Sequence, residues 1–228
     1  MKKPLLIVLL LFSLNIFSQV TQQWATMTNP NGTGCNSGDI AKDDSGYVYV
    51  LGQTSNAFSY ERYLTVKYSP NGNILWENVY GPAASERYIP SSLCVDDSGN
   101  VYSTGTDSFQ TINQRGATIK YNSSGTQQWV KKSGSYYGIN STVDDENNIY
   151  VQGTDDIIKY NSAGNVLLSF SLTGTFLFST IQFFHMDKNK NMYVAGTGLA
   201  NGSDAYILKK YDSTGTFKWE KNYNPSSG

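Results

Sequence analysis

Hydrophobic and polar residues alternate with a period of two in short runs along most of the chain. In residues 64–68, Leu64, Val66 and Tyr68 would lie on one face, and Thr65 and Lys67 on the other. Successive side chains of a β-strand point to opposite faces of its sheet. The pattern therefore predicts many short, half-buried strands.

Two sequence motifs recur four times in the same order. The first joins an Asp-containing turn to a Tyr-Val-Tyr-Val type run and covers residues 40–54, 93–107, 141–155 and 184–198. The second joins Lys-Tyr, a Gly-containing turn and Trp, and covers residues 64–80, 117–133, 156–172 and 207–223. The columns Tyr68, Tyr121, Tyr160, Tyr211 and Trp76, Trp129, Leu168, Trp219 both have spacings of 53, 39 and 51 residues. Such columns, shifting together, indicate one repeating unit with connections of variable length.

Each unit is predicted to form four antiparallel strands, because Asp, Asn, Ser and Gly occur where tight turns are needed. The predicted units span residues 36–80, 89–133, 138–172 and 180–223. A leading strand is predicted at residues 21–27, since TQQWATM matches TQQWVKK at residues 126–132. Lys209 replaces the apolar residue of the earlier units, so we expect less regular packing in the fourth unit.

A four-stranded antiparallel unit repeated at about 40 to 50 residues is typical of a β-propeller blade. A β-sandwich, the alternative, would not explain four copies of the same two motifs. The sequence therefore predicts an all-β propeller of four repeat units plus one leading strand.

Residues 95–102, Val-Asp-Asp-Ser-Gly-Asn-Val-Tyr, resemble the core of the bacterial seven-bladed β-propeller repeat, also called the SBBP repeat, in its exported Bacteroidetes-type version. The resemblance extends over residues 21–223 and implies a larger propeller of about seven blades. It implies an exported or surface protein, and it carries over no catalytic motif. An open arc of four blades and a ring completed by a second copy are the alternatives.

The first 18 residues have the layout of a secretory signal peptide. Lys2 and Lys3 precede an apolar run over residues 5–17, and cleavage is expected between Ser18 and Gln19. The run is shorter than the ~20 residues of a membrane-spanning helix. We therefore expect a secreted or cell-surface protein with no membrane span after cleavage; an uncleaved amino-terminal anchor is the alternative.

Composition narrows the function classes. The 228 residues include 17 Lys and Arg against 18 Asp and Glu, for a net charge of −1. A near-neutral chain has no electrostatic basis for holding a phosphate backbone, so no nucleic-acid partner is expected. With 39% hydrophobic and 14% aromatic residues, the chain can bury a core, which argues against disorder.

Catalytic candidates are few, and no cofactor is predicted. His185 is the only histidine, and its repeat column otherwise holds Ala41, Cys94 and Thr142, which share no catalytic character. A hydrolase or lyase with a central-channel site near His185 is the enzymatic alternative, with Cys94 and Lys42 as its possible companions. Cys35 and Cys94 could form a disulfide after export, although a free buried Cys94 suits its strand column equally.

The acidic turns have two interpretations. Clustered hard oxygens can bind Ca²⁺, but Asp at the start of a tight turn more often caps that turn. The weak calcium alternative involves Asp43, Asp44, Asp96, Asp97, Asp144 and Asp145.

The aromatic residues fall into two groups. Those in the repeat columns are expected to pack between blades, which every repeat must satisfy. Aromatic residues outside the columns are better candidates for binding a protein or glycan, because loops carry function more often. They are Phe58, Tyr60, Tyr63, Tyr88, Tyr136 and Tyr137.

The sequence thus predicts a non-catalytic binding or scaffold module, as the amino-terminal part of a larger secreted or surface protein. Open blade edges would also allow self-association. A truncated fragment without independent function is a further alternative.

Overall fold

A computed structural model describes residues 22–26, 28, 35–55, 61–81, 88–107, 115–133, 138–172, 174, 178–200 and 203–224. The predicted signal peptide, residues 1–18, lies outside the described residues. No helix in the described ranges is long and apolar enough to cross a membrane.

Sixteen strands form four antiparallel sheets, which we call blades 1 to 4. Blade 1 contains β1 (Cys35–Lys42), β2 (Val48–Ser55), β3 (Glu61–Tyr68) and β4 (Ile74–Tyr80). Blade 2 contains β5 (Ile89–Val95), β6 (Val101–Asp107), β7 (Arg115–Tyr121) and β8 (Gln127–Lys132). Blade 3 contains β9 (Gly138–Val143), β10 (Ile149–Gly153), β11 (Asp156–Tyr160) and β12 (Val166–Ser171). Blade 4 contains β13 (Phe178–Met186), β14 (Met192–Ala200), β15 (Ser203–Tyr211) and β16 (Phe217–Tyr223).

Each blade takes its strands in sequence order, so every neighbouring pair is an antiparallel hairpin. The first strands of the blades contact one another in the order β1, β5, β9 and β13. Those strands form the inner edge of the assembly, and the Trp-bearing strands form the outer edge. The predicted all-β fold of four-stranded blades is confirmed.

The hairpin turns show why the Asp and Gly positions repeat. Gly46 and Gly99 have φ of 86° and 73°, which side-chain-free glycine adopts at little cost. Their amides donate to the carbonyls of Asp43 and Asp96. In blades 3 and 4, Asn147 and Lys190 take the same left-handed conformation, each with φ of 60°.

The core lies between successive blades. The interface of blades 1 and 2 buries Tyr49, Leu51, Tyr63, Leu93 and Ile119, contributed by strands of both blades. Burial of aromatic and branched side chains is the main favourable term for such an interface. The repeat columns therefore stabilise each blade through its neighbours.

Lys209 does not disturb blade 4, contrary to the expectation from sequence. The ladder between β14 and β15 runs without interruption from Met192 and Tyr211 to Ala200 and Ser203. The ammonium group of Lys209 is fully buried, 3.9 Å from the carboxylate of Glu220 and 4.8 Å from the ring centre of Phe178. A charge partner and an aromatic face thus replace the apolar contacts of the other blades.

The leading segment differs from its prediction as well. Residues 22–26 form no strand in the described structure, because no neighbouring strand of a preceding blade is present there. Trp24 nevertheless stacks on Tyr68 of blade 1, with ring centres 5.9 Å apart. The segment therefore places its Trp in a repeat position without a sheet of its own.

Candidate functional site

A pocket of about 460 Å³ opens between the turns of blades 1 and 2. It is bounded by the β1–β2 turn of blade 1 and the β5–β6 turn of blade 2. Asp43 and Asp44 line one side, Asp96 and Asp97 the other, and Lys67 lies between them. The repeat brings these charges together because each blade contributes one acidic turn.

The first Asp of each pair is used by its own turn. Asp96 accepts hydrogen bonds from the amides of Ser98 and Asn100, at 3.0 and 2.9 Å. It also accepts one from the hydroxyl of Tyr102, at 2.9 Å. This geometry is that of a turn cap, and it leaves the Asp96 carboxylate 3% exposed.

The bond between the turn Asp and a tyrosine six residues later also occurs in blades 1 and 4. Tyr49 donates to Asp43 at 2.9 Å, and Tyr193 donates to Asp187 at 3.2 Å. Sequence reasoning missed this contact, although the constant Asp-to-Tyr spacing was visible. Burial, and then the neighbouring carboxylate, raises the pKa of Tyr49. The phenol therefore keeps its proton and serves as a hydrogen-bond donor.

Blade 3 uses its turn Asp differently. The carboxylate of Asp144 accepts from the Asn148 amide at 2.9 Å and forms an ion pair with Lys159, also at 2.9 Å. Lys190 of blade 4 reaches across to Asp145 and Glu146, at 2.9 and 2.7 Å. Hydrogen bonds from these carboxylates raise the pKa of Lys190. A lysine ammonium thus lies among the acidic side chains of this blade interface.

These contacts bear on the calcium alternative. Among the residues that the structure describes, no three His, Cys, Asp or Glu side chains are arranged to hold a metal ion. The oxygens of Asp43, Asp96 and Asp144 already accept hydrogen bonds within their own turns. The geometry therefore favours the turn-cap interpretation.

Lys67 lies in an aromatic environment beside the pocket. Its ammonium is 4.5 Å from the ring centre of Tyr47 and 5.1 Å from that of Tyr49. Desolvation lowers the pKa of Lys67, and the charge of Asp43 partly offsets this effect. The same ammonium donates to the carbonyl of Ser123 in blade 2, at 3.3 Å. Lys67 therefore links two blades.

The predicted binding aromatics divide into two sets. Phe58, Tyr60, Tyr136 and Tyr137 lie outside the described residues. Tyr63 and Tyr88 are buried in the core between blades 1 and 2, which corrects the expectation that they are loop residues free of packing constraints. Tyr63 belongs to β3, and its hydroxyl donates to the carbonyl of Thr106 at 3.1 Å. Tyr88 packs edge-to-face on Tyr80, with ring centres 5.8 Å apart.

The two catalytic candidates from the sequence lie in different environments. His185 is exposed on β13, and no hydrogen bond joins it to a carboxylate within the described residues. Cys94 is a free thiol that donates to the hydroxyl of Ser141 at 3.6 Å. Burial raises the pKa of Cys94 to about 12, so the thiol stays protonated and is a poor nucleophile.

A second candidate surface is the side of blade 4 that faces away from blade 3, which we call the open face. It exposes Phe183 of β13, Tyr206 and Leu208 of β15, and Trp219 and Tyr223 of β16. The exposed fractions of Tyr206 and Tyr223 are 60% and 66%. Contiguous exposed apolar side chains of this kind mark interaction sites. Sequence reasoning missed this surface because the same columns are buried in the preceding blades.

Comparisons with known proteins agree with the fold and stop there. No family model matches the chain, and no curated protein matches it. A protein of unknown function from Dyadobacter fermentans aligns with a TM-score of 0.51 and 10% identity, over 82% of this chain and 69% of its own. A protein of unknown function from Bacteroides caccae aligns with a TM-score of 0.46 and 13% identity, over 83% and 82%.

A gluconolactonase from Xanthomonas campestris also aligns, over 77% of this chain and 86% of its own. Its TM-score of 0.29 and identity of 10% are too low to carry a functional argument. The neighbours thus support a β-propeller-like repeat fold and assign no activity.

Proposed function

We propose that the chain is an exported, non-catalytic β-propeller that acts as a binding or scaffold module. The observation that carries this proposal is the open face of blade 4. Aromatic and aliphatic side chains lie there on three neighbouring strands, and lysines lie beside them at Lys210 and Lys221. An apolar centre with a polar margin is the usual anatomy of a protein interface.

The use of the polar residues supports a binding role over catalysis. The turn carboxylates accept hydrogen bonds from their own blades, and the lysines of blades 1 and 2 donate to neighbouring blades. A catalytic base would need a hydrogen-bond partner to orient it and a nucleophile within reach. The exposed His185 and the protonated Cys94 offer neither arrangement.

Large aromatic residues make the open face suitable for a protein ligand. Tyr and Trp carry much of the binding energy at protein interfaces, because they combine a large apolar area with one polar group. A glycan could use the same rings as stacking platforms. The regular spacing of the rings along two strands favours a partner that is itself a β-sheet.

Export is the second part of the proposal, and it rests on the layout of residues 1–18. After expression of the full chain in a bacterial host, the processed protein should be found outside the cytoplasm. Sequencing of its amino terminus should begin at Gln19. Recovery of unprocessed protein from the cytoplasm alone would contradict export.

The absence of catalysis is tested with the purified full chain and a panel of hydrolase and lyase substrates. We expect no turnover above that of a heat-denatured sample. The His185→Ala variant is compared with Thr142→Ala, which changes the same column in blade 3. A turnover that His185→Ala abolishes and Thr142→Ala preserves would overturn the proposal in favour of a propeller enzyme.

A further inference from the structure

The internal blade interfaces share one pair of donors. At the interface of blades 1 and 2, Lys67 and Trp76 both donate to the carbonyl of Ser123, at 3.3 and 3.2 Å. The Trp76 ring also packs on Gly125 of the same turn, where an added Cβ would lie 2.8 Å from the indole. A lysine, a tryptophan and a glycine turn thus form the repeated contact.

The interface of blades 2 and 3 repeats this arrangement. Lys120 and Trp129 donate to the carbonyl of Ser162, at 2.8 and 3.1 Å. Trp129 also packs on Tyr160, with ring centres 6.2 Å apart. The donors always come from the preceding blade, and the acceptor carbonyl always comes from the following one.

Blade 4 carries the same donor pair on its open face. Lys210 and Trp219 are direct register partners on β15 and β16, as Lys67 and Trp76 are on β3 and β4. Trp219 is 36% exposed, and no following blade covers it in the described part of the chain. Blade 3 lacks the pair, since Leu168 replaces the tryptophan. The donors of blade 4 therefore match the blades whose interface uses them.

The matching acceptor lies at the other end of the molecule. Trp24 donates to the carbonyl of Pro70 at 3.1 Å, and its ring lies against Gly72. Pro70 occupies the column of Ser123 and Ser162, two residues after the repeat tyrosine. Blade 1 therefore accepts a tryptophan in the same way as blades 2 and 3.

Trp24 is held on blade 1 by a short segment. Residues 22–26 make no ladder with blade 1, and Thr28 adds one hydrogen bond to Glu77, at 2.6 Å. At the internal interfaces a whole four-stranded sheet presents the tryptophan instead. A segment with so few contacts can be displaced by a complete blade that brings its own tryptophan.

We infer that the open face of blade 4 binds blade 1 of a second copy of this chain, with Trp219 of one copy replacing Trp24 of the other. This inference rests on the proposed binding function and names its partner. Lys210 would then donate to Pro70, as Lys67 does to Ser123. Lys221 occupies the column of Asn78, whose side chain donates to Gly125 at 2.8 Å.

The head-to-tail contact also determines the size of the assembly. Two copies bring eight blades, and propeller rings close with about four to eight. A heterologous contact gives a closed ring when its rotation closes and a filament when it does not. The blade number therefore predicts a dimer in which both blade 1–blade 4 contacts form.

Sedimentation of the full chain over a range of concentrations tests the inference. The wild-type chain should form dimers, and Trp219→Ala should weaken dimerisation at least about tenfold, as expected for a buried interface tryptophan. Trp24→Ala should strengthen dimerisation, because it vacates the acceptor. The double variant should behave as a monomer, and thermal unfolding checks that each variant is folded.

Leu167→Ala is the matched control, because it removes an exposed leucine from β12 of blade 3. It should leave dimerisation unchanged. A wild-type chain that stays monomeric, or a Trp24→Ala variant that dimerises no better than wild type, would overturn the inference. Neither result depends on the turnover assay, so failure here is distinguishable from failure of the proposed function.

Discussion

The interface of blades 1 and 2 and the open face of blade 4 use the same repeat columns in opposite states. Tyr63 pairs with Tyr80 across β3 and β4, and Tyr206 pairs with Tyr223 across β15 and β16. Tyr63 is completely buried and donates to a carbonyl of blade 2. The equivalent Tyr206 is more than half exposed.

The difference shows that the repeat encodes an interface rather than a site. A column residue is structural where a neighbouring blade covers it and available for binding where none does. Thr65 is fully buried against Ser103, whereas Leu208 in the same column is exposed and apolar. The stability cost of a substitution should therefore depend on the blade that carries it.

Removing the column tryptophan should give the largest contrast. Trp76→Ala should destabilise the chain by about 3 kcal/mol, since it leaves a cavity between blades and removes a donor. Trp219→Ala should change stability by less than about 0.5 kcal/mol at concentrations where the chain is monomeric. Chemical denaturation measures both, and equal losses would contradict the comparison.

The glycine turn beneath the tryptophan sharpens the same contrast. Gly125 has φ of 85°, and an added Cβ would meet Trp76 at 2.8 Å. Gly125→Ala should therefore cost about 2 kcal/mol from backbone strain and overpacking together. Gly46→Ala is the control, because its φ of 86° is similar but its Cβ would meet Pro70 at 3.5 Å.

Gly46→Ala should cost only about 1 kcal/mol, the backbone contribution alone. Thermal and chemical unfolding compare the two variants. If they lose the same stability, contact with the Trp76 ring contributes nothing.

Much of the fold could be predicted because the repeat constrains it several times over. The alternation at residues 64–68, the Gly turns and the Trp column all indicate the same four-stranded blade, and the structure has it. Tyr63 and Tyr88 were misplaced because their segments looked irregular in sequence. Their burial comes from contacts between blades, which a motif within one blade does not reveal.

The candidate surfaces were harder to predict for a related reason. The Trp column indicated interior packing correctly for Trp76 and Trp129, but Trp219 has the same sequence context and is exposed. Only the arrangement of the blades separates these cases. The acidic turns were more predictable, because Asp96 forms its cap within a few residues of chain.

Removing one hydroxyl group should give a smaller contrast. Tyr63→Phe should destabilise the chain by about 1 kcal/mol, because the buried carbonyl of Thr106 loses a hydrogen bond. Tyr206→Phe should be neutral, since water can satisfy the exposed position. A neutral Tyr63→Phe would show that the buried hydrogen bond adds no net stability.

The smallest effect concerns pH at the interface of blades 3 and 4. Burial acts to raise the pKa of Asp144, but hydrogen bonds from Asn148 and Lys159 outweigh it, and the net pKa is lowered. A carboxyl whose pKa is lowered by folding contributes stability above its unfolded pKa, about 4, and loses it as pH falls through the folded pKa.

Asp144→Asn should therefore flatten the loss of stability between about pH 5 and pH 2, by less than about 1 kcal/mol. Denaturation at several pH values measures the slope. The control is Asp44→Asn, which changes an exposed carboxylate in the corresponding region of blade 1. Identical slopes for wild type and Asp144→Asn would exclude the linkage.

Amide hydrogen exchange of the full chain at low and high concentration tests the central claim most directly. If the open face binds blade 1 of a second copy, protection should rise with concentration at β16 of blade 4 and at residues 69–73 of blade 1. Residues of the covered interfaces, such as β7, should not change. Protection at β16 and residues 69–73 that is the same at both concentrations would contradict the account.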